Sequence, residues 1–112
     1  MTDTVALEGT GAGGLLPEPA AADIRLEPVL HALGDAVRLQ IVGQLAASEN
    51  ARTCGSFDLP VGKSTASHHF KVLREAGVIR QRVDGRKRHT ELRQEDLEQR
   101  FPGLLASVLR AG

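Results

Sequence analysis

The sequence predicts a mainly helical domain with one small β-hairpin, in the order α-α-α-α-β-β-α. Three observations lead there. Apolar residues recur at helical spacing in three separate stretches, a strong Asp84-Gly85 turn signal sits between two short alternating runs, and Gly34 and Gly77 punctuate the helical stretches as stop signals. With 112 residues, 41% of them hydrophobic and 25% charged, the chain can bury one core and has no room for two domains.

The first 22 residues hold Gly9, Gly11, Gly13, Gly14, Pro17 and Pro19, a composition that buries little, so residues 1–22 are expected to form a flexible N-terminal arm ahead of a folded domain over 23–112. Within the arm, Gly9, Gly11 and Gly14 satisfy a dinucleotide-binding GxGxxG spacing. Its context does not fit, because such a turn must open a helix and the prolines interrupt the following stretch.

Ile24, Leu26, Val29, Leu30 and Leu33 predict a first helix ending at Gly34. Asp35 is a good N-cap for a second, to about Ala47, whose Val37, Ile41, Val42 and Leu45 share a face. Ser48 to Arg52 reads as a polar connection, Thr53-Cys54 as a short extended piece, Gly55 to Leu59 as a short helix and Pro60-Val61-Gly62 as a tight turn. Ser64 can cap a helix to Ala76, with Ala66, Phe70 and Leu73 inward and Gly77 as C-cap. Val78–Val83 and Lys87–Leu92 read as the strands of the hairpin. Glu95 to Arg100 is helical, and Pro102 can restart a terminal helix whose apolar face is Leu104, Leu105, Val108 and Leu109.

The 14 Lys+Arg and 14 Asp+Glu cancel overall, but they are not evenly spread. Residues 61–93 carry nine cations against three acids, a net +6, and the remainder therefore carries −6. Clustered lysine and arginine release condensed counterions from DNA, and an acidic remainder keeps the far side off the duplex.

A helix, a short helix, a tight turn, a second helix and then a hairpin is the order of a winged helix-turn-helix, whose second helix enters the major groove. Small donors and acceptors at Ser64, Thr65 and Ser67 would let the helix start approach phosphates and base edges, with His68 and Lys71 extending that face. Arg86, Lys87 and Arg88 at the hairpin tip would track the backbone or enter a minor groove. Lys63, Arg74 and Arg82 complete the expected DNA-binding set.

The stretch Ser64-Thr65-Ala66-Ser67-His68-His69-Phe70-Lys71-Val72-Leu73-Arg74-Glu75-Ala76-Gly77-Val78-Ile79 resembles the recognition-helix region of the ArsR/SmtB family of bacterial repressors. Leu33-Gly34-Asp35 followed by Val37-Arg38-Leu39-Gln40-Ile41 is similar to that family's second-helix entry, so the resemblance runs from about residue 26 to 93, about 60% of the chain. It implies a homodimeric repressor that binds double-stranded operator DNA with two symmetric recognition helices. It also implies dimerisation through the first and last helices, here the Leu26–Leu33 and Leu104–Leu109 faces.

Many members sense metals, through a Cys-x-Cys pair ahead of the recognition helix or through histidine and carboxylates on the last helix. This sequence departs from both patterns, with Cys54-Gly55-Ser56 at the first place and Glu95, Asp96 and Glu98 but no histidine after His89 at the second. Cys54 reads as a small buried residue, and His68 and His69 as helix residues for DNA contact or packing. A weaker imidazole and carboxylate site across the dimer, using His31 or His89 with Glu95, Asp96 and Glu98, would suit nickel or zinc, each as an effector.

Other classes fit less well. A winged helix that binds only protein is the chief alternative, because fold alone does not settle function. A thiol enzyme using Cys54 lacks a base and an orienting group, so neither an enzyme nor a small-molecule substrate is expected. One cysteine excludes an intramolecular disulfide framework, and no apolar run is long enough to span a membrane, so a cytoplasmic protein without a membrane partner is expected.

Overall fold

The computed structural model describes residues 14–48 and 52–111. The GxGxxG stretch lies outside them except for its final residue, Gly14.

Helix α1 (Leu26–Leu33) leads through Gly34 into α2 (Ala36–Ala46). Asp35 caps α2 as expected: its Oδ2 accepts from the Val37 amide at 2.9 Å and the Arg38 amide at 3.1 Å. These two bonds satisfy donors that have no partner inside the helix. After strand β1 (Arg52–Thr53) and a 3-10 turn over Cys54–Ser56, α3 (Lys63–Ala76) is followed by the hairpin of β2 (Ile79–Asp84) and β3 (Lys87–Leu92). Helices α4 (Gln94–Arg100) and α5 (Leu104–Ala111) end the chain. The three strands form an antiparallel sheet in the order β1-β3-β2, with Arg52 opposite Thr90 and Gln81 also opposite Thr90 from the other side.

Several boundaries differ from the sequence reading. The helix expected over Gly55–Leu59 is only the 3-10 turn, and Phe57 beyond it is extended at ψ 140°; Leu59, which precedes Pro60, is likewise disfavoured from helical geometry. The α3 cap is Gly62 rather than Ser64. Its carbonyl accepts the first helical bond from Ala66, which draws Ser64 inside the helix. Pro102 does not open α5 but precedes it, and Gly103 receives the Ser107 amide. The two terminal helices are those expected over Glu95–Arg100 and after Pro102, although the order α-α-α-α-β-β-α counts only one of them; that order also counts a helix at the short segment and omits β1.

The core is continuous across the helices and the sheet. Val29 and Leu33 of α1, Ile41, Val42 and Leu45 of α2, and Phe70 and Leu73 of α3 are buried together with Ile79, Leu97 and Leu105. Phe57 and Phe70 meet edge to face at 5.1 Å, which seats the turn before α3 on the helix. Gly77 closes α3 at φ +90°, where an added Cβ would lie 2.6 Å from Ile24 Cγ1, so both conformation and space require glycine there.

Packing begins earlier than residue 23. The Val83 amide donates to the Gly14 carbonyl and the Leu16 amide to the Gln81 carbonyl, both at 2.9 Å, so residues 14–16 pair with the otherwise free edge of β2. Arg74 Nε donates to the Pro17 carbonyl at 3.1 Å and Arg93 Nη1 to the Pro19 carbonyl at 2.7 Å. Glu18 accepts from Arg80 Nε at 3.0 Å, completing a strap across the back of the sheet. Residues 1–13 of the arm lie outside the described residues.

No helix among the described residues is long and apolar enough to cross a membrane.

Candidate nucleic-acid interface

Helix α3 has two faces with different chemistry. His69, Phe70, Leu73 and Ala76 are buried, whereas Lys63, Ser64, Thr65, Ser67, His68 and Lys71 are exposed. The outward side chains at the start of the helix are short, and the peptide dipoles of a 14-residue helix add positive potential at that end. Arg82, Arg86, Lys87 and Arg88 on the hairpin are also exposed.

The hairpin and α3 are not merely neighbours. Lys63, Ala66, Ser67 and Phe70 of α3 line a cleft of about 300 Å3 together with Arg86 and Arg88 of the hairpin and Cys54 and Gly55 of the 3-10 turn. Three cations and a hydroxyl therefore converge on one concave surface. Strand register divides the remaining hairpin charges. Arg88 is paired with Val83, next but one to the buried Gln81, and so faces α3, while Arg82, opposite His89, and Lys87, opposite Asp84, alternate onto the other face.

Arg74 is the one expected DNA-binding residue turned inward. It is half-buried, and its Nη1 donates to Gln81 Oε1 at 2.7 Å while Nε holds the Pro17 carbonyl. Burial and the nearby Arg88 push the pKa of this guanidinium below its ordinary value.

Two buried polar clusters underlie the surface, and the periodicity of the sequence signals neither. Gln81 and Thr90 are fully buried. With Oε1 fixed by Arg74, which can only donate, Gln81 Nε2 donates to Thr90 Oγ1 at 3.1 Å and to Cys54 Sγ at 3.3 Å. Cys54 is thus half-buried, packed against the edge of the core and lining the cleft. In the second cluster, buried Arg38 donates from Nε to the Ala32 carbonyl at 2.7 Å and from Nη1 to His69 Nδ1 at 2.9 Å. His69 therefore presents Nδ1 as an acceptor, and the pair ties α3 to the end of α1 and the start of α2. Asp35 stands 3.8 Å from the same ring nitrogen, and the Arg38 backbone amide donating to its carboxylate lowers its pKa.

The metal-ligand candidates are not brought together within one chain. Among the described residues no three histidine, cysteine or carboxylate side chains form a cluster that could hold a metal ion. His31 is exposed on α1, and His89 lies 3.8 Å from Asp84 on the hairpin. Glu95 and Glu98 are exposed on α4, while Asp96 accepts from Arg93 Nε at 2.9 Å. A metal does not fit this arrangement in a single subunit.

Known proteins place this geometry. A family described as a helix-turn-helix domain matches residues 33–82, which span α2, α3 and the first strand of the hairpin. The chain is 37% identical over 82 residues to YceK, an uncharacterized HTH-type transcriptional regulator of Bacillus subtilis, covering 71% of this chain and 82% of that protein. It is also 34% identical over 58 residues to an uncharacterized HTH-type transcriptional regulator of Methanocaldococcus jannaschii, covering 51% of this chain and 65% of the relative. An exposed polar helix preceded by α2, in a chain aligned over most of a regulator's length, leads to one assignment: the protein belongs to the helix-turn-helix transcriptional regulators.

Proposed function

We propose that the protein is a homodimeric, winged helix-turn-helix repressor of the ArsR/SmtB type that binds double-stranded operator DNA. Helix α3 enters the major groove, and the β2–β3 hairpin is the wing. The observation that carries this reading is the convergence of Lys63, Ser67, Arg86 and Arg88 on one cleft, in line with the exposed Ser64, Thr65, His68 and Lys71. Short polar side chains beside point cations are the combination that reads base edges while holding phosphates.

The dimer is supported by Leu26 and Leu30, which remain 44% and 46% exposed on α1 although Val29, Ala32 and Leu33 of that helix are buried. Leu104, Val108 and Leu109 of α5 are only partly covered. Joining these faces across a two-fold axis would remove apolar area from water at roughly 25 cal/mol per Å2. Residues 14–22 belong to the folded unit in this reading, and residues 1–13 precede it. A metal response would need His31 or His89 to meet the carboxylates across the dimer, because within one chain Asp96 is engaged by Arg93 and the ligand candidates form no cluster among the described residues.

Selection of bound duplexes from a random pool, followed by titration of the recovered sequence, tests the reading. A recovered consensus with two-fold symmetry is expected, together with a dimer by light scattering that Leu26→Glu with Leu30→Glu converts to monomer. Repeating the selection with nickel or zinc reads out an effector directly. Failure to retain any duplex at low salt would instead make this fold a protein-binding module.

A further inference from the structure

We propose that Gln81 is a positioning residue for DNA binding: its buried amide sets the placement of the wing relative to α3. The proposal rests on the DNA-binding reading above. Gln81 sits on the sheet face turned to the core, between the buried Ile79 and the half-buried Val83, where an apolar side chain is the ordinary choice. Burying an amide there costs free energy unless its donors and acceptor are used, and a half-satisfied amide is worse than an apolar substitute.

Here they are used, and each bond goes to a different element. Oε1 takes the Arg74 guanidinium from α3 at 2.7 Å, the short, charge-assisted bond of the set. The two Nε2 protons go to Thr90 Oγ1 on β3 and to Cys54 Sγ in the turn before α3. The Gln81 backbone carbonyl also accepts the Leu16 amide of the strap. A rotation or slide of the hairpin against α3 therefore breaks hydrogen bonds of an amide that has no exposed surface, whereas a purely apolar contact at this position would tolerate sliding. The groups held in register by this arrangement are those that would meet DNA: Ser67 and Lys63 on the helix, Arg86 and Arg88 on the wing. A binding constellation of this kind needs support to within about 0.5 Å.

Gln81 and Thr90 have no exposed surface, so neither can touch a duplex. Loss of affinity in a folded variant at either position must act through the placement of other residues. The test is Gln81→Met, which keeps length and removes the polar atoms, with Thr90→Val, which removes one acceptor and keeps shape. Each is titrated, alongside the wild-type chain, against the duplex selected by the wild type and against an unselected duplex. All measurements are made over a salt series at a temperature where circular dichroism shows each protein fully folded.

Gln81→Met is expected to weaken binding to the selected duplex by roughly tenfold, the size of one lost base contact. The slope of log affinity against log salt should fall by about 0.9 for each phosphate contact the wing gives up. Thr90→Val should shift both in the same direction by less. A Gln81→Met protein that melts at lower temperature yet binds with wild-type affinity and slope has only a structural residue at 81, and overturns the proposal. Should Gln81→Met not fold, wild-type affinity and slope in Thr90→Val overturn it in the same way. A wild-type chain that binds neither duplex refutes the DNA-binding reading itself, a result separate from any difference between variants.

Discussion

Neutralising the wing should change the salt dependence of DNA binding by an amount the hairpin register specifies. Arg86 and Arg88 line the cleft against α3, whereas Lys87, opposite Asp84, alternates onto the other face of the hairpin. A duplex engaged by α3 therefore meets two of the three consecutive cations. At about 0.9 per phosphate contact, replacing Arg86 and Arg88 by alanine should lower the slope of log affinity against log salt by about 1.8 for one subunit and about 3.6 for a dimer with both wings seated. Lys87→Ala should change it little. None of the three residues is buried, so the variants should melt like the wild type. Fluorescence anisotropy of a labelled duplex over a salt series measures the slopes directly. A Lys87→Ala slope change as large as that of Arg88→Ala would refute the argument from strand alternation, and an unchanged slope in the double variant would remove the wing from the interface.

Asp35→Ala should cost about 1 kcal/mol of unfolding free energy in denaturant titrations, the usual value of an N-cap. Because the Arg38 amide depresses the Asp35 pKa in the folded protein, that contribution is present above the ordinary aspartate value of 3.8 and is lost as pH falls through the lowered value; the alanine variant should show a flatter acid limb. Deleting residues 1–13 removes none of the described contacts and should leave melting temperature and DNA affinity unchanged, whereas deleting 1–22 removes the partners of Arg74, Arg80 and Arg93 and should lower the melting temperature by several degrees. Gly77→Ala should destabilise by more than about 1 kcal/mol, because φ +90° is strained for alanine and its Cβ would meet Ile24; equal stability by thermal melting would contradict the geometry.

Much of the scaffold is legible in the sequence because its signals are local. Apolar spacing locates α1, α2 and α3, Asp35 announces the start of α2, and Asp84-Gly85 fixes the hairpin tip, where Gly85 adopts φ +63°. The outward face of α3 follows from the same periodicity. What escapes is held by groups that carry no pattern. The strap over residues 14–22 is secured largely through the carbonyls of Gly14, Pro17 and Pro19, and every residue has a carbonyl, so composition alone reads as an unstructured arm. Strand β1, expected as an extended piece over Thr53-Cys54, runs over Arg52–Thr53, two residues being too few for alternation to set its bounds or its pairing with β3. The α3 cap uses only the Gly62 backbone, leaving Ser64 as a plausible but mistaken choice. Arg74 sits one residue past the buried Leu73, at a helix angle where sequence cannot decide between solvent and the sheet.

The positive end of the molecule also differs from the one drawn by counting. Of the nine cations over residues 61–93, three are spent inside the protein. Arg74 serves Gln81 and Pro17, Arg80 is paired with Glu18 at 3.0 Å, and Arg93 is buried against Asp96, Glu18 and the Pro19 carbonyl. Glu18 holds the Arg80 pKa above its usual value, as expected of a guanidinium with a nearly buried carboxylate on it. Lys63, Lys71, Arg82, Arg86, Lys87 and Arg88 remain exposed and make no ion pair among the described residues. Two acids from outside the segment, Glu18 and Asp96, thus quench Arg80 and Arg93 and leave Arg82 as the cation still exposed on that face of β2, while the cations on α3 and the hairpin tip stay unquenched. Segregation of charge by pairing, more than the net count, gives one face a field that attracts phosphate. It follows that the strap which carries Glu18 does more than cover a strand edge: without it, Arg80 would keep only the longer contacts to Glu91 at 3.8 Å and Asp96 at 3.9 Å and would add positive potential behind the sheet, in competition with the α3 face for the same polyanion.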